Sequence, residues 1–402
     1  MNKFKYYFIL LLAGVSLVSC NKKDDDETEI APLKDYQEQF NIDNANIEEY
    51  LKTNYITVVN KPGDITDQDV TFTKITDVAT QPSIMSYLNS ATFPKLLMRD
   101  VDLHGIKYKM YYLVLREGTG LSPLNTDGVL TAYKGEYLKR VEKTATDPEK
   151  LTTTLFEQVI YTNETQDLYG VIMGWSEIFP QFKIGTSTTN ADGSIIRKDF
   201  GAGVLFVPSG LGYYANPPAS SSIPAYSPLI FTIKLYDLKR LDHENNGYSA
   251  STGALIPNPD GLLDYQEDIN GDGYVYDYRN TTLYPKAPKN LDDTDGDGIP
   301  DFLDQDDDND GFTTRYEITK PLDAPYSGLS KYYPYDPILD NPSTPNVNES
   351  EIWGVPRRPR GALADPAKPE SITNPRKFIS EDYTAPGRTR IHLDNTYPYK
   401  QN

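Results

Sequence analysis

Residues 170–175 read G-V-I-M-G-W, an apolar run that closes on a Gly-Trp pair. Trp is large and costly to leave in water, so it is usually at least partly buried. Gly174, just before it, lets the backbone turn tightly. Val171, Ile172 and Trp175 can thus present three apolar side chains to the floor of one pocket. The same run also fits an ordinary core segment, and the flanking sequence has to separate the two readings.

Upstream, L-T-A-Y-K-G (residues 130–135) reads as a short strand with Tyr133 near its end. Downstream, V-L-F-V-P-S-G-L-G-Y-Y (204–214) is a strand-like run broken at Pro208 by turn residues. A Pro-punctuated loop then feeds a β-branched, apolar strand in S-I-P-A-Y-S-P-L-I-F-T-I-K-L (222–235). In order, the chain carries Y-x-G, F-E, V-I-x-G-W, P-S-x-L-x-Y and I-P-x-x-x-x-L-x-F.

This ordered set resembles the FKBP-type peptidyl-prolyl cis-trans isomerases over residues 108–241. The resemblance implies an α+β fold, with a twisted antiparallel sheet wrapped on a short helix at residues 175–182. It implies a proline pocket made of Tyr133, Phe156, Glu157, Val171, Ile172, Trp175, Tyr213, Ile223 and Phe231. Trp175 would be the floor, Phe156 and Phe231 the walls, and Tyr213 the hydroxyl donor to a substrate carbonyl. The chain departs from the family at four places. Glu157 stands where Asp is usual, and Tyr214 replaces the glycine after the pocket tyrosine. A polar insertion at 136–155 precedes F-E, and the loop at 216–222 is rich in Pro and Ser. A turn at N-A-D-G (190–193) closes a hairpin-like excursion.

Composition bounds the rest. The 402 residues suffice for more than one domain, and 31 Tyr and 30 Pro at 38% apolar content suggest one core plus much irregular chain. A formal charge of −19 argues against nucleic acid as a partner. Three His and one Cys build neither a Cys/His zinc site nor a disulfide framework, and no organic cofactor is expected.

The first 20 residues read as an export signal, with Lys3 and Lys5 before a short apolar stretch. L-V-S-C (17–20) resembles a bacterial lipoprotein box, which makes the sole cysteine, Cys20, the lipidated residue. A plain signal peptide with an incidental cysteine is the other reading. The polar tether (21–42) opens N-K-K-D-D-D-E, which resembles the surface-export signal of Bacteroidetes lipoproteins. The segment 43–107 begins with a short helix from Asp43, whose Ile47, Tyr50 and Leu51 make one apolar face.

After residue 241 the composition turns acidic. Residues 260–317 hold 17 acidic and four basic side chains. Asp306, Asp308, Asp310, Gly311 and Glu317 fit the D-x-D-x-D-G-x5-E calcium loop. Asp293, Asp295, Asp297, Asp301 and Asp304 repeat the odd-position pattern and resemble thrombospondin type 3 repeats. Asp268, Asn270 and Asp272 form a degenerate third copy. Oxygen-only ligands favour Ca²⁺. The expectation is a helix-poor calcium tract (258–317), stabilised separately from the isomerase-like core, in which Ca²⁺ is structural. A disordered acidic spacer is the alternative. The Pro- and Tyr-rich tail (318–402) reads as extended.

The sequence therefore points to an outer-membrane lipoprotein, facing the periplasm or the cell surface, that isomerises proline-containing polypeptide clients. The rival is a non-catalytic surface scaffold that uses the same pocket and calcium tract for adhesion.

Overall fold

Strands form where β-branched and aromatic residues cluster, and the computed structural model is mostly β with few helices. It describes residues 32–321, 330–341, 343–344 and 351–398. The export signal, Cys20 and tether residues 21–31 lie outside the described residues. From Tyr36 onward the chain forms one compact unit.

Helix α1 (Tyr36–Thr53) leads into a two-stranded ribbon of β1 (Asn54–Val58) and β2 (Val70–Lys74). Then come β3 (Lys95–Leu103), β4 (Ile106–Arg116), β5 (Gly128–Val141), β6 (Lys150–Val159) and the two-residue β7 (Gln166–Asp167). The short helix α2 (Met173–Ile178) runs into a 3₁₀ turn at Phe179–Gln181. A hairpin of β8 (Thr186–Thr189) and β9 (Ile195–Lys198) precedes β10 (Gly201–Val207) and β11 (Leu229–Lys239). One antiparallel sheet has the order β3-β4-β10-β11-β5-β6, with β7 on β5.

Both faces of this sheet are covered, so its central strands read as continuous apolar runs rather than alternating ones. In β4, Tyr108, Met110, Tyr112 and Val114 face the core around α2, while Tyr111, Leu113 and Leu115 face the core under α1. β10 alternates in the same way: Leu205 and Val207 lie toward α2, Val204 and Phe206 toward α1. Each such buried side chain contributes roughly 1.5–3 kcal/mol. Gly174 lets α2 sit on the sheet, since a Cβ there would lie 2.6 Å from Val207 Cγ1.

Four expectations change. Helix α1 begins at Tyr36 rather than Asp43, because its buried stripe includes two polar residues, Gln39 and Asp43, before Ile47, Tyr50 and Leu51. The sheet starts at Lys95, before residue 108, since β3 pairs with β4 along its whole length. Tyr133 lies mid-strand in a 14-residue β5, and the polar insertion is the far end of the β5–β6 hairpin. The tail is irregular yet folded: Tyr333, Val355, Tyr383 and Ile391 bury against Leu262 and Ile318.

The acidic tract follows a hairpin of β12 (Asn245–Tyr248) and β13 (Leu255–Pro257). It is helix-poor, with 3₁₀ turns at Asp264–Gln266 and Asp301–Leu303 and the single-turn helix α3 (Thr314–Glu317). The tail adds helix α4 (Ser380–Thr384). The tract shares a core with the sheet domain: Leu124 packs with Val275, Phe302 and Leu303. Asn125 seals the contact, accepting from the Val275 amide (2.9 Å) and donating to the Val275 carbonyl (2.7 Å).

Candidate functional site

Trp175 sits in the first turn of α2 and is buried against three rings. Their centroids lie 5.0 Å (Tyr133), 5.2 Å (Phe231) and 5.1 Å (Phe179) away, the first two edge-on. Edge-to-face geometry places a positive ring edge on a negative ring face and fixes the box beyond simple burial. The box forms one wall of a cavity of about 690 Å³. Tyr133, Glu157, Val171, Ile172, Trp175, Tyr213 and Phe231 all line it.

Phe156 and Ile223, expected in the same pocket, stand behind its lining. Ile223 is buried in the adjoining core. Phe156 meets Phe231 edge-on at 5.7 Å and lies over Gly135, where a Cβ would come within 2.4 Å of the ring. A β-bulge is the cause: Gly135 pairs with Glu157 and Glu136 with Leu155, so Phe156 is the residue left without a register partner. That Gly is the small residue of the Y-x-G signature.

Two tyrosine hydroxyls and one carboxylate supply the polarity. Burial raises the Tyr133 hydroxyl well above its ordinary pKa, and the Glu157 carboxylate beside it adds to the shift. Burial and then Glu157 also raise Tyr213. Both hydroxyls therefore stay protonated at neutral pH and are available as donors. Trp175 Nε1 is buried with no hydrogen-bond partner among the described residues.

Sequence reasoning missed the rim. His104, in the turn between β3 and β4, stacks on Tyr36 at 3.8 Å, and Tyr36 stacks on Tyr214 at 4.5 Å. Nδ1 of His104 lies 3.0 Å from the Tyr108 hydroxyl, and burial lowers its pKa to about 4. Leu283, from the acidic tract, completes the rim, and its carbonyl accepts from the His104 amide. The one sequence signal was a lone His-Gly turn. The P-S-x-L-x-Y loop is held from α1, where Asp43 accepts from the Ser209 amide (2.7 Å) and hydroxyl (2.6 Å).

No Ser, Cys, Thr, Lys or Arg is among the described residues lining the cavity, so a Ser, Cys or Lys nucleophile has no place there. An apolar box with a few fixed donors suits a non-covalent task.

Each of the two motif loops gathers a trio with ligand oxygens within 4.8 Å: Asp293, Asp295 and Asp297, and Asp306, Asp308 and Asp310. Burial and then neighbouring carboxylates raise Asp308 to about 7 and Glu317 to about 11. Oxygens of Asp306, Asp308 and Glu317 are buried without partners among the described residues. Such a donor set fits a hard divalent cation. Asp301 gives both oxygens to Thr294, and Asp304 accepts from the amides of Gln305 and Asp306. In the degenerate copy Asp268 accepts from the Gly271 and Gly273 amides, Asp272 accepts from the Tyr274 amide, and the Asn270 side-chain nitrogen turns to Asp292.

A family model described as BamM C-terminal matches residues 258–346, which include the acidic tract. No curated protein matches the chain. Among solved structures, the chain is similar to a peptidyl-prolyl cis-trans isomerase from Pseudomonas syringae pv. tomato, at 15% identity and TM-score 0.27, over 52% of this chain and 99% of that one. It is similar to FkpA from Escherichia coli at 26% identity and TM-score 0.22, over 32% of this chain and 48% of that one. It is also similar to the three FKBP domains of wheat FKBP73 at 16% identity and TM-score 0.24, over 35% and 51%. The chain thus spans about half the length of the last two.

Proposed function

We propose that the chain is a peptidyl-prolyl cis-trans isomerase of FKBP type, exported and anchored to the outer membrane through Cys20, acting on proline-containing polypeptides. The observation that carries this reading is the box of Tyr133, Trp175 and Phe231 with the Tyr213 hydroxyl at its edge. Rotation about an Xaa-Pro bond meets a barrier of about 20 kcal/mol and needs no nucleophile. The planar amide is the more polar form, so an apolar box over the prolyl ring removes water that favours it. Tyr213 donates to the carbonyl and Trp175 supports the ring. Interactions that favour the twisted amide over the planar one accelerate the exchange, tenfold for each 1.36 kcal/mol.

Ca²⁺ belongs to the same proposal as a structural ion that neutralises crowded carboxylates. Asp293, Asp295 and Asp297 would hold one ion, and Asp306, Asp308, Asp310 and Glu317 another. Among the described residues no helix is long and apolar enough to cross a membrane, and the proposed anchor is lipid. Cys20→Ser is expected to release the protein from the membrane fraction, and a variant that still pellets with membranes contradicts the anchor.

Proline-limited refolding of an unfolded protein tests the activity. The purified chain is expected to speed the slow phase, and Trp175→Leu to abolish the gain while the fold is retained. Proline-peptide binding with no acceleration would leave the non-catalytic scaffold.

A further inference from the structure

We propose a third, buried Ca²⁺ site, centred on Asp260 and closed by Asp242, Glu244, Glu267 and Asp307. Two trios share Asp260: one with Asp242 and Glu244, the other with Glu267 and Asp307, and within each the ligand oxygens lie within 4.8 Å of one another. Oxygens bound to one Ca²⁺ at about 2.4 Å are at most about 4.8 Å apart, so the spacing within each trio is that of a shared ion, and Asp260 joins the two trios.

The decisive side chain is Glu267. It has no solvent exposure, and neither of its carboxylate oxygens has a hydrogen-bond partner among the described residues. Such a group is very costly unless a cation meets it. Its neighbours are prepared for the same ion. Asp242 accepts the Gly261 amide on Oδ2, Glu244 the Asp260 amide on Oε2, and Asp260 the Leu262 amide on Oδ1. In each of the three the other oxygen is buried and has no partner among the described residues. Backbone amides thus fix one oxygen of each carboxylate and leave the second for a ligand. Among the described residues no Lys, Arg or His forms an ion pair with any of the five. The nearby histidine, His243, is instead held by Asp167 and Asp264.

Carboxylates, with no sulfur or nitrogen donor, select a hard cation. A dry site rich in protein oxygens suits Ca²⁺ better than Mg²⁺, which dehydrates reluctantly. The ligands come from three places: the exit from β11, the turn after β13 with its 3₁₀ continuation, and the calcium loop at Asp307. The ion therefore ties the sheet to the tract.

Native mass spectrometry of the full-length protein in calcium is the test. Glu267→Gln keeps the shape and removes one charge, and it is expected to bind one Ca²⁺ fewer than the wild type. Asp308→Asn is expected to lose a loop ion and keep the buried one. If Glu267→Gln fails to fold, wild-type crystals grown with calcium decide, through an anomalous peak between Asp260, Glu267 and Asp307. Equal ion counts in wild type and a folded Glu267→Gln overturn the proposal. So does an anomalous map with peaks at the two loops and none among these residues.

Discussion

Tyr214 stands at φ +51°, where most side chains are strained and glycine is at ease. Its ring accounts for the exception by stacking on Tyr36 and meeting Tyr226 edge-on at 4.9 Å. The departure from the family pattern is therefore part of a pocket rim rather than a defect in the loop. Tyr213→Phe removes one hydroxyl donor and is expected to cost roughly tenfold in kcat/KM for an Xaa-Pro peptide, with circular dichroism unchanged. His104 gives a pH prediction. Its pKa falls from an ordinary 6.5 to about 4 in the folded chain, so the unfolded chain binds more protons between those values. Stability from this residue is intact above pH 6.5 and is lost as pH falls toward 4. Calcium-saturated denaturation curves should show that slope in the wild type and a shallower one in His104→Gln. Most pocket side chains were legible because short motifs carried them. Phe156 was misplaced because a bulge is invisible to a motif, and His104 was missed because its ring stack joins distant segments.

At the scale of elements, a buried ion pair joins β3 to α2, and tyrosine hydroxyls tie the acidic tract to the same residue, Glu177. Arg99 of β3 donates through Nε to Glu177 at 2.7 Å, and its guanidinium lies 3.8 Å from the Tyr274 ring centroid. Tyr276 donates to the same carboxylate, and Tyr274 donates to the Glu177 carbonyl. The tyrosines of Y-V-Y-D-Y stack in turn, Tyr274 on Tyr276 and Tyr276 on Tyr278. Arg99→Met strands a buried carboxylate and is expected to cost about 3–5 kcal/mol in chemical denaturation. Asp43→Ala, which leaves the Ser209 amide unpaired, is expected to cost ~3 kcal/mol and to loosen the P-S-x-L-x-Y loop. The strands were legible from apolar runs, and the two clustered carboxylate trios from their odd-position Asp. Helix α1 was cut short because Gln39 and Asp43 occupy its buried stripe, and polar residues there conceal the period. The tyrosine ladder repeats every second residue, but its partners are an Arg and a Glu far away in sequence, which the repeat does not show.

For the molecule as a whole, the shared packing changes what metal removal should do. The acidic tract does not hang from a separate sheet core: Leu283 packs against that core at the pocket rim, and Val275 packs on Leu124 of the β4–β5 loop. Each Ca²⁺ bound only to the folded form adds about 2.7 kcal/mol at a hundredfold excess over Kd. Calorimetry should therefore show one transition that moves down as a whole in chelator, and two transitions with only one moving would restore the picture of separate parts. Exchange NMR on an Ala-Pro peptide tests the proposed activity of the pocket most directly. With a catalytic amount of the calcium-loaded protein, cis and trans signals should exchange on the timescale of seconds or faster, and Trp175→Leu should return them to the uncatalysed rate. Unchanged exchange beside a folded protein that binds the peptide would contradict the account.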